Sequence, residues 1–267
     1  SNLVSQVSVF DGAFAYLRIG KIESGLSDAF KSAYQKLAAT NKLKGVVLDL
    51  RYASGTDYAA AAQTADLFIK TEQPLLQWSD TMARSTAKTD AIALPVAVLV
   101  NHQTSGAAEA LAAMVREAQI GLVLGTNTAG QASVFKEFSL KDGQQLKVAS
   151  VPVKLANGKE IPASGVKPDI EIAVSARAEK AFFQNPYRKP KYLATSTNPN
   201  NLNGTADTNV PRRRLNEAEL VRLQRQGLTP DQEYFDEPSP VTESTKPVLH
   251  DPALVRAIVH AESAFNP

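Results

Sequence analysis

Two adjacent hydroxyl-bearing residues, Thr104 and Ser105, lie between an apolar run and a helical pattern. A turn from a strand into a helix exposes a side chain and directs backbone N–H groups to the same point, so α/β hydrolases place a nucleophile there. A serine attacks a carbonyl only if a nearby base takes its proton, and His102 is on the same turn. Such hydroxyls more commonly cap a helix. The residues alone therefore leave both a nucleophile and a helix cap open.

A second turn whose residues could take part in catalysis covers residues 51–57 and contains Gly55. Glycine lets another backbone or a ligand approach closely, and free N–H groups at the start of a helix favour a developing oxyanion. A tight connection between a strand and a helix uses the same residue type. The turn is thus either an oxyanion site or a simple connection.

Strands and helices alternate around these turns. Short apolar runs indicate buried strands, and apolar residues at helical spacing indicate helices. The predicted strands are 14–19, 45–50, 95–100 and 121–124, and the predicted helices are 27–39, with Ser27 as its N-cap, 59–68 and 107–118. This alternation predicts an α/β fold, a mostly parallel sheet with crossover helices.

The remainder of the chain changes character. Residues 134–140 and 146–155 are β-rich, with turns at 142–143 and 157–158. A polar linker is predicted over 191–211, followed by a capped helix over 216–227 and a last helix over 253–264, with Pro252 in its first turn. We therefore predict a core at 1–190, a linker at 191–211 and a helical C-terminal extension at 212–267.

Bulk composition excludes several classes of protein. The 267 residues are 43% hydrophobic and 21% charged with a net charge of +2, which does not indicate nucleic acid binding. No apolar run approaches the roughly 20 residues that span a bilayer, and no signal peptide is recognisable at the start, which suggests a segment of a longer protein. With no cysteine, no Walker lysine and widely spaced His250 and His260, we expect no metal and no cofactor.

Six segments in order resemble the core domain of the tail-specific, or carboxyl-terminal processing, serine peptidases. The resemblance covers roughly residues 14–172. It is carried by residues 48–51 with Gly55, by 65–69, by 95–101, by 122–125, by 141–143 and by 165–170. It implies a ClpP/crotonase-like core, a β-rich subdomain, a peptide substrate and an extracytoplasmic, periplasmic bacterial setting. The peptide-capturing PDZ domain common in this family is not visible.

The resemblance also assigns the catalytic positions. With Asn101 and Glu109 as anchors, the nucleophilic serine falls on Gly106, the general-base lysine on Gln131, and the residue that orients this lysine on Phe135. The oxyanion-side positions, Gly55 and the N–H of Ala107, are retained. The resemblance therefore implies a non-catalytic pseudopeptidase that binds a peptide or an unfolded polypeptide segment.

Two alternatives remain open. A register shifted by one residue makes Ser105 the nucleophile of an active endopeptidase, with His102 or Lys136 as an unconventional base. The second alternative is a scaffold function, in which the apolar faces of the C-terminal helices form a homo-oligomer. Those faces comprise Leu220, Leu223, Leu254, Val255, Ile258 and Val259.

Overall fold

A computed structural model describes residues 3–140, 144–188 and 247–265. The chain divides into two compact units, one of Ser1–Ile172 with Arg256–Pro267 and the other of Ala173–Val255. The predicted turn at 142–143, linker at 191–211 and helix at 216–227 lie outside the described residues. The predicted domain boundaries at 190 and 211 also fall there and stay predictions.

The first unit holds all of the described strands. In chain order they are β1 (Val4–Phe10), β2 (Phe14–Ile19), β3 (Lys21–Ile22), β4 (Gly45–Asp49), β5 (Ser54–Gly55), β6 (Pro74–Trp78), β7 (Thr81–Arg84), β8 (Val96–Val100), β9 (Gly121–Gly125), β10 (Ser133–Ser139), β11 (Gln145–Pro152), β12 (Lys154–Leu155) and β13 (Ile170–Glu171). The helices within the described residues are α1 (Leu26–Thr40), α2 (Tyr58–Asp66), α3 (Ala107–Glu117), α4 (Ala176–Gln184) and α5 (Pro252–Phe265).

A six-stranded sheet with the order β1-β2-β4-β8-β9-β13 forms the centre of the first unit. All neighbours from β2 to β13 are parallel, and only β1 pairs antiparallel with β2. Every residue of β4 and β8 is buried, as continuous apolar runs require when helices cover both faces. The predicted α/β fold with a mostly parallel sheet is confirmed.

Smaller sheets flank this centre. The first is a two-stranded β-hairpin of β10 and β11. The second is a three-stranded sheet with the order β12-β6-β7, and the third is a short parallel pair of β3 and β5. The predicted β-rich region is confirmed in β10–β12, and Gly158, at a φ of 79°, makes the predicted turn after β12. The sequence did not predict β1, β3, β5, β6, β7, β13 or α4. The strands β3, β5 and β13 are each only two residues long, which is too short for a periodic pattern to identify.

Within the described residues, the bounds of the predicted helices lie within two residues of those observed, but the N-cap of α1 differs from the prediction. The N-cap of α1 is Gly25 with a φ of 86°, and the helix begins at Leu26, so the prediction of Ser27 as the cap is wrong. Glycine takes this left-handed conformation without the steric cost that a Cβ would bring. At α5, by contrast, Pro252 does occupy the first turn, and Asp251 Oδ1 accepts the N–H of Ala253 at 3.1 Å.

The apolar face predicted for α5 is only partly exposed. Leu254 and Ile258 are buried within the chain, while 37% of Val255 and 50% of Val259 is exposed. Leu220 and Leu223 lie outside the described residues. No described helix is both long and apolar enough to cross a membrane.

Candidate functional site

Three turns meet at the carboxyl ends of the parallel strands, where open α/β sheets place their ligand sites. The turn at 50–57 follows β4, the turn at 101–106 follows β8, and the turn at 126–131 follows β9. They border a cleft of about 360 Å³. Its lining comprises Lys21, Ile22, Glu23, Ser24, Ser54, Gly55, Thr56, Asp57, Tyr58, Ser105, Gly106, Gln131 and Phe135.

The structure brings the sequence-predicted site residues together. Gly55, Ser105, Gly106, Gln131 and Phe135 all line the cleft, although they come from distant parts of the sequence. Ala107 is the first residue of α3, so its N–H belongs to the first turn, where helical N–H groups have no intrahelical acceptor. These residues lie together because the three turns, each of which follows a different strand, meet at the same edge of the sheet. The catalytic roles implied by the resemblance stay predictions.

Thr104 is a structural residue rather than a nucleophile. It is buried, and its Oγ1 donates to the carbonyl of Leu50 at 2.8 Å and accepts the N–H of Asn101 at 3.0 Å. The Oδ1 of Asn101 in turn accepts the N–H groups of Thr104 and Tyr52, each at 3.1 Å. The turns after β4 and β8 are thereby fixed to each other.

Ser105 occupies a different environment from Thr104. It is half-buried and lines the cleft, and its N–H donates to the carbonyl of Ala53 at 3.0 Å. His102 is exposed and is not among the residues that line the cleft. Within the described residues, no hydrogen bond joins the side chains of His102 and Ser105, so the structure does not pair them as nucleophile and base.

Gly106, the N-cap of α3, has a backbone conformation that side chains rarely adopt, with a φ of 62° and a ψ of −123°. A Cβ built on it would overlap the carbonyl oxygen of Gly55. Gly55 is itself confined, because a Cβ there would overlap the carbonyl oxygen of Ile22 in β3. The space that a side chain at residue 106 would need is therefore filled by the backbone carbonyl of Gly55.

A single buried carboxylate organises the turns after β8 and β9. Glu109 is fully buried, and its Oε2 accepts the N–H of Gly106 at 2.8 Å and that of Gln131 at 2.7 Å. Its Oε1 accepts the N–H of Gly130 at 2.7 Å and the hydroxyl of Thr128 at 2.5 Å. Glu109 thus joins the position implied for the nucleophile to the position implied for the base.

Thr128 extends this network to another segment that carries the resemblance. Its hydroxyl accepts the N–H of Val166 at 2.7 Å, and its own N–H donates to the carbonyl of Val166 at 3.2 Å. A Cβ on Gly165 would overlap the carbonyl oxygen of Thr128. Close backbone packing therefore explains why glycine occupies residue 165, at a φ of 86°.

Lysine side chains near the cleft are poorly placed to replace a lost base. Lys136 is exposed and neighbours Phe135 in β10, so the two side chains point to opposite faces of the hairpin, and only Phe135 lines the cleft. Lys21 does line the cleft, but its ammonium group is paired with Glu23.

Tyr58 forms part of the cleft wall. Its hydroxyl donates to the carbonyl of Ser133 at 3.0 Å, and its ring lies 5.9 Å from that of Trp78, centroid to centroid. Burial, with a further contribution from the negative charge of Glu109, raises the pKa of Tyr58 to about 12. The residue is therefore a neutral hydrogen-bonding group at any physiological pH.

A buried ion pair supports the beginning of the turn after β4. Asp49 Oδ2 accepts from Arg51 Nη2 at 2.7 Å and from the Tyr16 hydroxyl at 2.6 Å. Burial alone would raise the pKa of Asp49, but the charge and hydrogen bonds of Arg51 with the hydrogen bond of Tyr16 hold that pKa below its usual value. The charged pair fixes the backbone that leads to Gly55.

The comparisons with known proteins agree with this fold and cleft. Residues 13–172 match the model of peptidase family S41. A chloroplastic C-terminal processing peptidase of Tetradesmus obliquus is 27% identical over 161 residues, which are 59% of this chain and 34% of that protein. A "Probable CtpA-like serine protease" of Staphylococcus aureus (strain COL) is 30% identical over 167 residues, 60% of this chain and 34% of that protein.

A solved structure is also similar. The photosystem II D1 C-terminal processing protease superposes with a TM-score of 0.52 at 25% identity, covering 64% of this chain and 46% of that chain. The fold and cleft define an α/β domain of the serine-peptidase type, and the chain belongs to peptidase family S41. It spans about a third of the length of the curated relatives, 34% of each.

Within the described residues, no group of three histidine, aspartate or glutamate side chains is arranged to hold a metal ion. The cleft contains neither histidine nor a cluster of carboxylates that would suggest one. Its chemistry is that of hydroxyl, amide and backbone groups beside one ion pair and one further carboxylate.

Proposed function

We propose that this domain is a pseudopeptidase, a non-catalytic member of its family that binds a peptide or an unfolded polypeptide segment. One observation carries the proposal. The cleft holds Gly106 and Gln131 at the positions that the resemblance implies for nucleophile and base, and the Gly55 carbonyl fills the side-chain space at Gly106.

The chemistry of acyl transfer explains why these residues are insufficient. Gly106 has no side chain to attack a carbonyl, and the amide of Gln131 does not accept a proton near neutrality. Loss of a nucleophile and its base normally reduces turnover on the order of 10⁶-fold. The N–H of Ala107 is retained, but it cannot complete a reaction without a nucleophile.

The retained cleft supports binding. Phe135, which is 41% exposed, provides apolar surface, and hydroxyl and backbone groups also line the cleft. An apolar wall with a few convergent polar groups is the usual composition of a ligand site. An extracytoplasmic location in a bacterium follows from the family resemblance alone and belongs to the same proposal.

The test measures binding and hydrolysis with the same unstructured peptides. We expect saturable binding, seen by fluorescence anisotropy, and intact peptides by mass spectrometry after prolonged incubation. Thr56→Trp, which places an indole in the cleft from an exposed residue, should abolish binding. The matched control, Thr71→Trp at an exposed residue outside the cleft, should not. Hydrolysis that disappears in Ser105→Ala would refute the proposal.

The competing function is an active serine endopeptidase that uses Ser105. Its support is that Ser105 is half-buried and lines the cleft beside Gly55. A fluorophosphonate probe distinguishes the two functions, since it reacts only with an activated serine. We expect no labelling of the wild-type chain, and labelling lost in Ser105→Ala would establish the alternative.

The scaffold alternative concerns α5, where Val255 and Val259 are exposed. Exposed apolar residues on one helical face favour association with another subunit. Light scattering of the chain with and without residues 211–267 tests it. A monomer in both cases excludes a homo-oligomer formed through this region.

A further inference from the structure

We propose that the cleft recognises a primary ammonium group, which a peptide supplies through its amino terminus or through a lysine side chain. The inference rests on the proposed binding function and specifies the ligand of that same cleft. Three acceptors support it, and each comes from a different feature of the site.

The first acceptor is the carbonyl of Gly55. A peptidase cleft must present donors to the oxygen of a scissile carbonyl. Here the Gly55 carbonyl oxygen lies where the side chain of residue 106 would project, and both residues line the cleft, so the site has a backbone acceptor beside Gly106. A bound carbonyl oxygen would be repelled by this oxygen, whereas an N–H donor would be attracted.

The second acceptor is the carboxylate of Asp57, which lines the cleft and is half-buried. Its Oδ1 accepts the N–H of Ala60 at 2.9 Å, which fixes the side chain as the N-cap of α2. Among the described residues, Asp57 has no cation within ion-pairing distance. The other charged residues of the lining, Lys21 and Glu23, are paired with each other, so the cleft keeps one uncompensated negative charge.

The third acceptor is the hydroxyl of Ser105, which lines the same cleft. An ammonium group has three N–H donors and no acceptor, so it can satisfy a carbonyl, a carboxylate and a hydroxyl together. A guanidinium group prefers planar, bidentate partners, which this set does not offer.

The experiment uses four versions of one unstructured peptide, each with a fluorophore at its carboxyl end. One has a free amino terminus and a central lysine, one is acetylated with the lysine, one is free with norleucine in place of lysine, and one is acetylated with norleucine. Fluorescence anisotropy gives Kd for each with the full chain. We expect the peptide without any ammonium group to bind at least about tenfold more weakly, because a charge-assisted hydrogen bond is lost.

The two intermediate peptides identify the source of the ammonium group. If acetylation alone weakens binding, the amino terminus is recognised, and if norleucine alone weakens it, the lysine is recognised. Either result supports the proposal. Asp57→Asn should remove the preference, and asparagine keeps the helix cap, so the fold is retained. The control Asp80→Asn removes the same charge from an exposed residue outside the cleft and should leave the preference unchanged.

Failure of this inference differs from failure of the proposed function. Equal Kd values for all four peptides, with binding still blocked by Thr56→Trp, would overturn ammonium recognition and leave peptide binding intact. Absence of binding by every peptide would overturn both.

Discussion

The carboxylate of Glu109 accepts the backbone N–H of Gln131 at 2.7 Å, across 22 residues of sequence. The same oxygen accepts the N–H of Gly106 at 2.8 Å. One buried carboxylate therefore holds beside each other the positions that the family resemblance implies for the nucleophile and the base.

Replacing Glu109 with alanine should strongly destabilise the domain. The substitution leaves three buried or half-buried N–H groups and the hydroxyl of Thr128 without their acceptor. We expect the free energy of unfolding to fall by at least about 3 kcal/mol, since hydrogen bonds to a charged group contribute about 1.5–3 kcal/mol each. Urea denaturation measures it. Glu117→Ala, at an exposed residue of the same helix, is the control and should change little.

Replacing Gly106 with alanine tests whether backbone fills the side-chain space. Gly106 and Gly12 both have a positive φ, 62° and 67°, but a Cβ on Gly12 meets no atom within 4 Å. Both variants incur the cost of the left-handed conformation, and only Gly106→Ala also meets the Gly55 carbonyl. We expect Gly106→Ala to be less stable than Gly12→Ala by about 1–3 kcal/mol in urea denaturation. Equal losses would mean that the Gly55 carbonyl moves away freely.

The sequence predicted the elements that carry the site. Continuous apolar runs predicted β4, β8 and β9, and the helical spacing after Ala107 predicted α3, because both patterns follow directly from burial. Anchors at Asn101 and Glu109 also identified Gly106 and Gln131, and both line the cleft. These predictions depended on local pattern and on order along the chain.

What the sequence could not predict depends on contacts between distant segments. Glu109 served only as an anchor, although a glutamate three residues after an N-cap is the signal of a capping box. Its further bonds to Thr128 and Gln131 arise only when the turn after β9 folds over α3. The carbonyl of Gly55 beside Gly106 is likewise a consequence of the tertiary fold, because no local pattern specifies the orientation of a peptide unit.

Restoring the implied catalytic pair should not restore catalysis. In Gly106→Ser with Gln131→Lys, the new serine side chain meets the Gly55 carbonyl, and the positive φ at residue 106 adds strain. The lysine would also lack the orienting residue that the family resemblance places at Phe135. We expect no hydrolysis of a fluorogenic peptide above the level of the wild-type chain. Turnover by the double variant would contradict this steric account, and circular dichroism checks that the variant is folded.

The buried pair of Asp49 and Arg51 should make stability depend on acidic pH. Because the pKa of Asp49 is lowered in the folded state, its contribution is fully present above the unfolded-state pKa of about 3.9 and is lost as the pH falls through the lower folded value. At neutral pH, Asp49→Asn should lower the free energy of unfolding by about 3–5 kcal/mol, since it removes the negative charge that Asp49 places against the buried guanidinium of Arg51.

This deficit should shrink as urea denaturation is repeated from pH 5 down to about pH 3, because the wild-type chain alone loses the Asp49 contribution there. Measurements in high salt separate this effect from exposed pairs such as Lys31 with Asp90, which salt screens. Asp49 is fully buried and much less accessible to screening ions. A deficit that stayed constant down to pH 3 would mean that the pKa of Asp49 is the same in the folded and unfolded states, and it would contradict the lowered folded pKa. A deficit that grew on acidification would contradict the lowered pKa.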